Sequence, residues 1–156
     1  MGLDMYLYAS KYESRSQWKE NDKEEMKGFY PSELQDFQTD IFERNFASKE
    51  THYQIGYWRK FNALHSYIVK VYANGEDNCR EIPLYKSRIK EILQTLKAIK
   101  NNHSKANELL PTQSGFFFGS TDYDEWYWND VEYSIRVFEE ALKLPDEYDI
   151  YYQASW

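Results

Sequence analysis

The sequence predicts an α+β domain: a small, largely antiparallel sheet with about three to four helices packed on it. Three observations predict it. Both ends of the chain alternate apolar and polar residues, as strands do. The interior carries stretches whose apolar residues recur three and four apart, as helices do. The spacing of these stretches is too irregular for a repeating βαβ series. All 156 residues are expected to form one domain, 1–156, which is long enough to bury a core.

The elements follow in order. In "GLDMYLYASKY", Leu3, Met5 and Leu7 fall on one face and Asp4, Tyr6 and Tyr8 on the other, a strand pattern. "SRSQWKENDKEEMKG" is charged and weakly periodic, a loop or marginal helix ending near Gly28. "PSELQDFQTDIFERNF" reads as a helix: Ser32 and Gln35 make a capping box, and Leu34, Phe37, Ile41 and Phe42 share a face. "THYQIGYW" reads as a short extended segment leading into a helix over residues 57–73, with Tyr57, Phe61, Leu64, Ile68 and Tyr72 along its stripe. "NGED" ends that helix, and "CREIPLY" reads as an edge strand because Pro83 removes a ladder donor.

Ser87 is expected to cap the next helix, with Ile89, Ile92, Leu93, Leu96 and Ile99 facing inward. "KNNHSKANE" reads as polar linker. "GFFFG" is short, aromatic and bounded by glycines, as a buried strand would be. Asp122 and Glu125 resemble a capping box for a last helix with Tyr127, Val131, Ile135, Phe138 and Leu142 inside, stopped by Pro145. "YDIYYQASW" alternates again, and this closing strand is expected to neighbour the first, with Trp156 packed.

Composition narrows the function. Aromatic residues make up 19% of the chain, with 15 tyrosines, so rings must supply much of the buried area. A net charge of -7 argues against a generic grip on nucleic-acid phosphates. A small anionic ligand remains compatible with it, held by a few local bases or backbone amides. Cys79 is the single cysteine, so no internal disulfide and no cysteine-rich zinc site can form. The N-terminus carries no basic region followed by an apolar run, Tyr6 stands where a myristoylation signal wants Ser or Thr, and no apolar stretch approaches the ~20 residues of a spanning helix. A cytoplasmic protein without a membrane partner is expected.

Four segments carry the unusual chemistry. In "GYWRKFNALHSY", Trp58, Asn62, His65 and Val69 follow i, i+4, i+7, i+11 and would line one side of the expected helix. A ring, an amide and an imidazole there suit a planar ligand, and Arg59 suits a phosphate. The plainer alternative is a hydrogen-bonded boundary histidine beside a packed tryptophan. In "NGEDNC", Glu76 and Asp77 could hold a divalent ion, but the spacing is no EF-hand loop, so a solvated acidic turn is the reading and no metal is expected. Cys79 beside His65 invites a thiol nucleophile with a base, although a lone cysteine near a strand is usually a small buried hydrophobe.

"LPTQSGFFFGSTDYDEWYW" places Thr112, Gln113 and Ser114 before the three phenylalanines and Ser120, Thr121 and Asp122 after them, leading into a helix N-terminus. It is not a Walker loop, a dinucleotide fingerprint or a nucleophile elbow. In "YYQASW", either strand face could line a pocket.

These four pieces, "MGLDMYLYA", "GYWRKFNALH", "LPTQSGFFFGSTDYDEWYW" and "YYQASW", resemble an uncharacterised family of small proteins encoded by bacteriophages and prophages. The resemblance spans both ends and most of the middle, leaving residues 10–49 without a counterpart. It implies a bacterial host cytoplasm and brings no catalytic residues and no cofactor.

The function expected is capture of a small nucleotide-like ligand without turnover, as a counter-defence factor sequestering a bacterial immune signal. Trp58, Arg59, Asn62 and His65 would form one wall and Thr112, Ser114, Ser120 and Thr121 another, supported by Tyr123 and Trp126. Two alternatives stand beside it. One is an acidic inhibitor docking on a host protein. The other is a small nucleotide hydrolase with His65 as base and Glu76, Asp77 or Asp124 as helpers. Homo-oligomerisation is left open by the sequence. The ligand reading needs the His65 helix and the loops around Phe116–Phe118 to meet at one water-accessible hollow.

Overall fold

In a computed structural model of the chain, the structure describes residues 2–14 and 48–156. The charged stretch and the helix expected between Ser10 and Lys49, with its Ser32–Gln35 capping box, lie largely outside the described residues. The chain divides into two compact units, Met1–Ala9 with Tyr53–Trp156, and Ser10–His52. The second unit contributes described residues only at the inner ends of two strands, where Lys49 and Glu13 pair at 3.5 Å.

Four strands, β1 (Asp4–Ser14), β2 (Ser48–Arg59), β3 (Ile82–Pro83) and β4 (Asp149–Ser155), form an antiparallel sheet in the order β2-β1-β4-β3. The helices of the described residues are α1 (Asn62–Tyr72), α2 (Lys86–Asn101), the single turn α3 (Ala106–Leu109) and α4 (Glu125–Leu142). The architecture is α+β. β1 and β4 are neighbours, as the alternation at the two chain ends predicts. β3 is an edge strand, Ile82 facing Tyr152 and Pro83 facing Tyr151, so the missing amide of Pro83 costs no ladder bond in the sheet interior.

Alternation sorts the sheet's faces. Leu3, Met5 and Leu7 are fully buried beside Ile150, Tyr152 and Ala154 of β4, and α1, α2 and α4 contribute much of the rest of the core, with Trp58 of β2. The other face carries a row of tyrosines across β2, β1 and β4: Tyr57 to Tyr6 at 5.4 Å, Tyr6 to Tyr8 at 5.8 Å, and Tyr8 to Tyr151 at 5.3 Å between ring centroids. At the β2 edge, the Tyr57 amide donates to the Tyr133 hydroxyl at 3.2 Å, occupying a donor that has no strand beside it.

The helices follow their stripes. Ile89, Ile92, Leu93, Leu96 and Ile99 of α2 are buried, as are Tyr127, Val131, Ile135 and Phe138 of α4, while Leu142 is half-buried. α2 and α4 pack together and are laced by Lys97–Glu139 at 2.6 Å and Lys100–Glu132 at 3.2 Å. Gly56 of β2 lets α4 approach the sheet: a Cβ there would stand 2.9 Å from Val137 Cγ1 and 2.8 Å from the Trp58 ring.

Four local expectations are corrected. The helix expected from residue 57 starts at Asn62, because Tyr57–Arg59 complete β2 with Trp58 facing the core. Helix caps shift as well. Ser87 lies inside α2 and caps nothing, and α4 is capped by Asp124, whose Oδ1 accepts from the Tyr127 amide at 3.0 Å, two residues after the expected Asp122. "GFFFG" is a turn, closed by Phe118 N donating to Gly115 O at 3.1 Å. A tight turn radiates its side chains, so Phe116 is 96% exposed, Phe117 half-buried and Phe118 buried.

Two phenylalanines therefore test the packing. Phe138→Ala, in the core against Trp58, is expected to cost about 3–5 kcal/mol, and Phe116→Ala less than ~0.5 kcal/mol, in urea unfolding monitored by circular dichroism.

Candidate functional site

The site begins at the corner between β2 and α1. Lys60 has φ 63°, a left-handed conformation costly for a residue with a Cβ. Its amide donates to Leu3 O at 2.8 Å, which ties the corner to β1. Phe61 follows with φ -77° and ψ 69°, and the Asn62 amide reaches back to Lys60 O at 2.8 Å, an inverse γ-turn. Across from it, Gly119 has φ 85°, and a Cβ there would stand 3.1 Å from Lys60 Cβ. Two left-handed residues thus face each other at one rim.

Asn62 joins this corner to the loop before α4. Its buried side-chain amide donates from Nδ2 to Phe118 O at 2.9 Å and to Ser120 O at 2.8 Å, and its Oδ1 accepts from Gln113 N at 2.8 Å. Ser66, one helical turn on, donates to Gln113 Oε1. Thr112 Oγ1 donates to Thr121 O at 2.8 Å, closing the loop's neck, and the Tyr127 hydroxyl holds Leu110 O at 2.9 Å. The hydroxyls flanking the phenylalanines therefore serve loop closure as much as any ligand.

Between this corner, the loop and α4 lies a cleft of about 440 Å³, within the size range of small-molecule sites. Tyr57, Phe61, Trp126 and Tyr127 line it, Phe61 and Tyr127 buried and Trp126 exposed, with Asn62, Thr112, Gly119 and Ser120 at the loop side. Arg59 and Lys60 line it and form no ion pair with any described residue. Three aspartates line it too. Asp124 caps α4, and Asp122 accepts from Ser120 Oγ at 3.2 Å. The Asp130 carboxyl, half-buried, accepts no hydrogen bond from the described residues, and burial followed by the nearby Asp124 charge pushes it from 3.8 up to about 6.

Of the residues expected at the site, Trp58, Arg59, Asn62, Thr112, Ser120 and Trp126 line this cleft, and Ser114, Thr121, Tyr123 and His65 do not. Trp58, 1% exposed, offers no free face: it stacks on Phe138 at 5.8 Å and donates from Nε1 to Ser134 Oγ at 2.8 Å. Tyr123 turns to α3, donating to Asn107 Oδ1 at 3.2 Å. Trp126 is 77% exposed and free to stack on a ligand.

His65 is 2% exposed, with Nδ1 at 2.8 Å from the Tyr152 hydroxyl and Nε2 at 3.0 Å from Asp77 Oδ2. Burial raises the Tyr152 phenol well above 10, so it keeps its proton and donates to Nδ1. Nε2 then carries the imidazole proton and gives it to Asp77. Phe118 and Trp156 close around the ring at 5.3 and 6.1 Å. The space beside this cluster is about 10 Å³, too small for a ligand. His65 is thus a pin fastening the 74–81 turn and β4 to α1. Cys79, expected to be buried, is exposed in that turn, with φ 60°.

Sequence reading missed Lys60, Asp122, Asp124 and Asp130 as cleft residues. One signal was available for Asp130: it stands at i+4 from Trp126 on α4, so the two share a face. Among the described residues no group of three or more His, Cys, Asp or Glu could hold a metal ion, and no helix is long and apolar enough to cross a membrane. No protein-family model, no curated protein and no solved structure matches the chain.

An acid whose pKa rises on folding destabilises the fold wherever it must ionise. For Asp130 that penalty is absent below about pH 3.8 and complete above about pH 6. Asp130→Asn is therefore expected to raise the melting midpoint by about 2–4 °C near pH 8, the worth of ~1 kcal/mol in a domain of this size, and to leave it unchanged near pH 4. Differential scanning calorimetry at the two pH values checks this.

Proposed function

We propose that the protein captures a small nucleotide-like ligand in this cleft without chemical turnover. The observation that carries the reading is the pairing of two cations without an ion pair among the described residues, Arg59 and Lys60, with the exposed Trp126 ring around one hollow. The cations suit a phosphate, and the exposed Trp126 ring suits a base, worth on the order of 1–3 kcal/mol by stacking. Binding without turnover is favoured by what the side chains already do. His65 has both nitrogens engaged away from the cleft, and Asp124 is committed to its cap. The resemblance to phage and prophage proteins supplies the setting, in which holding a nucleotide signal would blunt a host defence.

A second reading rests on Phe116, 96% exposed near the loop's apex, which suits a protein partner better than a nucleotide. A host protein retained by the wild type, lost with Phe116→Ala and not displaced by nucleotides would favour it.

Isothermal titration calorimetry against mononucleotides and cyclic nucleotides tests capture. Micromolar binding is expected. Trp126→Ala should weaken it about tenfold or more, and Arg59→Ala should weaken it and flatten its salt dependence, whereas Phe116→Ala should not change it. Absence of heat across the panel would reject capture.

A further inference from the structure

Resting on the capture reading, we infer that Asp130 reads the edge of the ligand's base, and that the base is of guanine type, presenting two N–H donors side by side. The inference starts from an unmatched group. In the cleft, Asp124 and Asp122 already accept hydrogen bonds from the chain, but the Asp130 carboxyl accepts none from the described residues. Its oxygens are not sealed from water, so the carboxyl is free to accept from whatever enters the cleft.

The site dictates what that something is. An ionised carboxylate has two acceptor oxygens and no donor. Guanine offers N1–H and the N2 amino group as adjacent donors, which two parallel N–H···O bonds can match. Adenine and cytosine each offer an amino donor beside a bare ring nitrogen, so one carboxylate oxygen would face a lone pair. The arrangement on α4 fits this use: Trp126 and Asp130 are one helical turn apart on the same face, so a base lying on the Trp126 ring has its edge within a turn's reach of the carboxyl. Arg59 and Lys60, at the β2–α1 corner, remain for the phosphate.

The carboxyl must be ionised for this pairing. The titratable and charged groups sharing the cleft with it are Arg59 and Lys60 from the corner, Tyr57 from β2, Asp122 and Asp124 from the loop, and Tyr127 from α4. With the Asp130 carboxyl raised to about 6, its preference for guanine should be complete near pH 8 and fade as pH falls below about 6. Once protonated, the group offers one donor and one acceptor, which suits adenine instead.

The test is calorimetric titration of the full chain with 3′,5′-cyclic GMP, cyclic IMP and cyclic AMP near pH 8 and near pH 5. These phosphodiesters do not themselves titrate across that range. Cyclic GMP is expected to bind about tenfold or more tighter than cyclic AMP near pH 8, with cyclic IMP, which lacks the N2 amino group, between them. The gap should collapse near pH 5 and in Asp130→Asn, whose amide pairs one donor with one acceptor. Equal binding of all three in the wild type, or a gap that survives both the pH change and the substitution, overturns the Asp130 assignment while leaving capture standing. No binding of any of the three, or of the mononucleotides, overturns capture and the assignment together.

Discussion

At the cleft, the side chain of Asn62 makes more bonds to the loop than any other residue described. One buried amide spends both its donors on the carbonyls of Phe118 and Ser120 and its oxygen on the amide of Gln113. Three backbone groups of a loop otherwise poor in regular structure are satisfied by one residue at the start of α1. No other residue type presents two donors and an acceptor from so short a stem. These bonds fix the loop on both sides of the phenylalanine turn, which β1 also holds through the Leu3 amide on Phe117 O at 3.1 Å.

The consequences run in both directions. Toward the core, the grip brings Phe118 against the His65 ring, and His65 in turn holds the Tyr152 hydroxyl of β4 and Asp77 of the adjoining turn. Toward solvent, it brings Gly119 against Lys60, two residues in left-handed backbone conformations. Around one opening stand Lys60 in a left-handed conformation, the Asp130 carboxyl and the Arg59 cation without a partner among the described residues, and the exposed Trp126. Core packing explains none of them.

Much of the framework could be read from the residues, and the reasons differ by element. β1 and β4 alternate cleanly because one sheet face is buried by helices, and α2 and α4 carry stripes because each buries one side. Spacing carries α1 too far toward β2, because Tyr57, Phe61 and Leu64 keep helical spacing across a corner. The extra turn is made by a left-handed Lys60, which no propensity announces. Apolarity alone points to a strand at the phenylalanine run, because it says nothing about whether consecutive rings point apart. The start of α1 and the loop around Phe116–Phe118 touch, through Asn62. His65 went inward, because hydrogen-bond partners at Asp77 and Tyr152, distant in sequence, were available to it. Asp130 was overlooked because an acid on an amphipathic helix looks like a solvated face until the loop opposite it is placed.

The claim that one amide organises the cleft is tested most directly by native-state hydrogen exchange of Asn62→Asp. The substitution keeps the shape and the acceptor for Gln113 but sets a carboxylate oxygen against the carbonyls of Phe118 and Ser120. The account predicts that the amides of Gln113 and Phe118 exchange at least tenfold faster in the variant, ~1.4 kcal/mol of lost local stability, while the centres of α2 and α4 lose markedly less protection. Unchanged protection at both loop amides in a folded variant would contradict it, and the wall of the cleft would then owe its position to something other than Asn62.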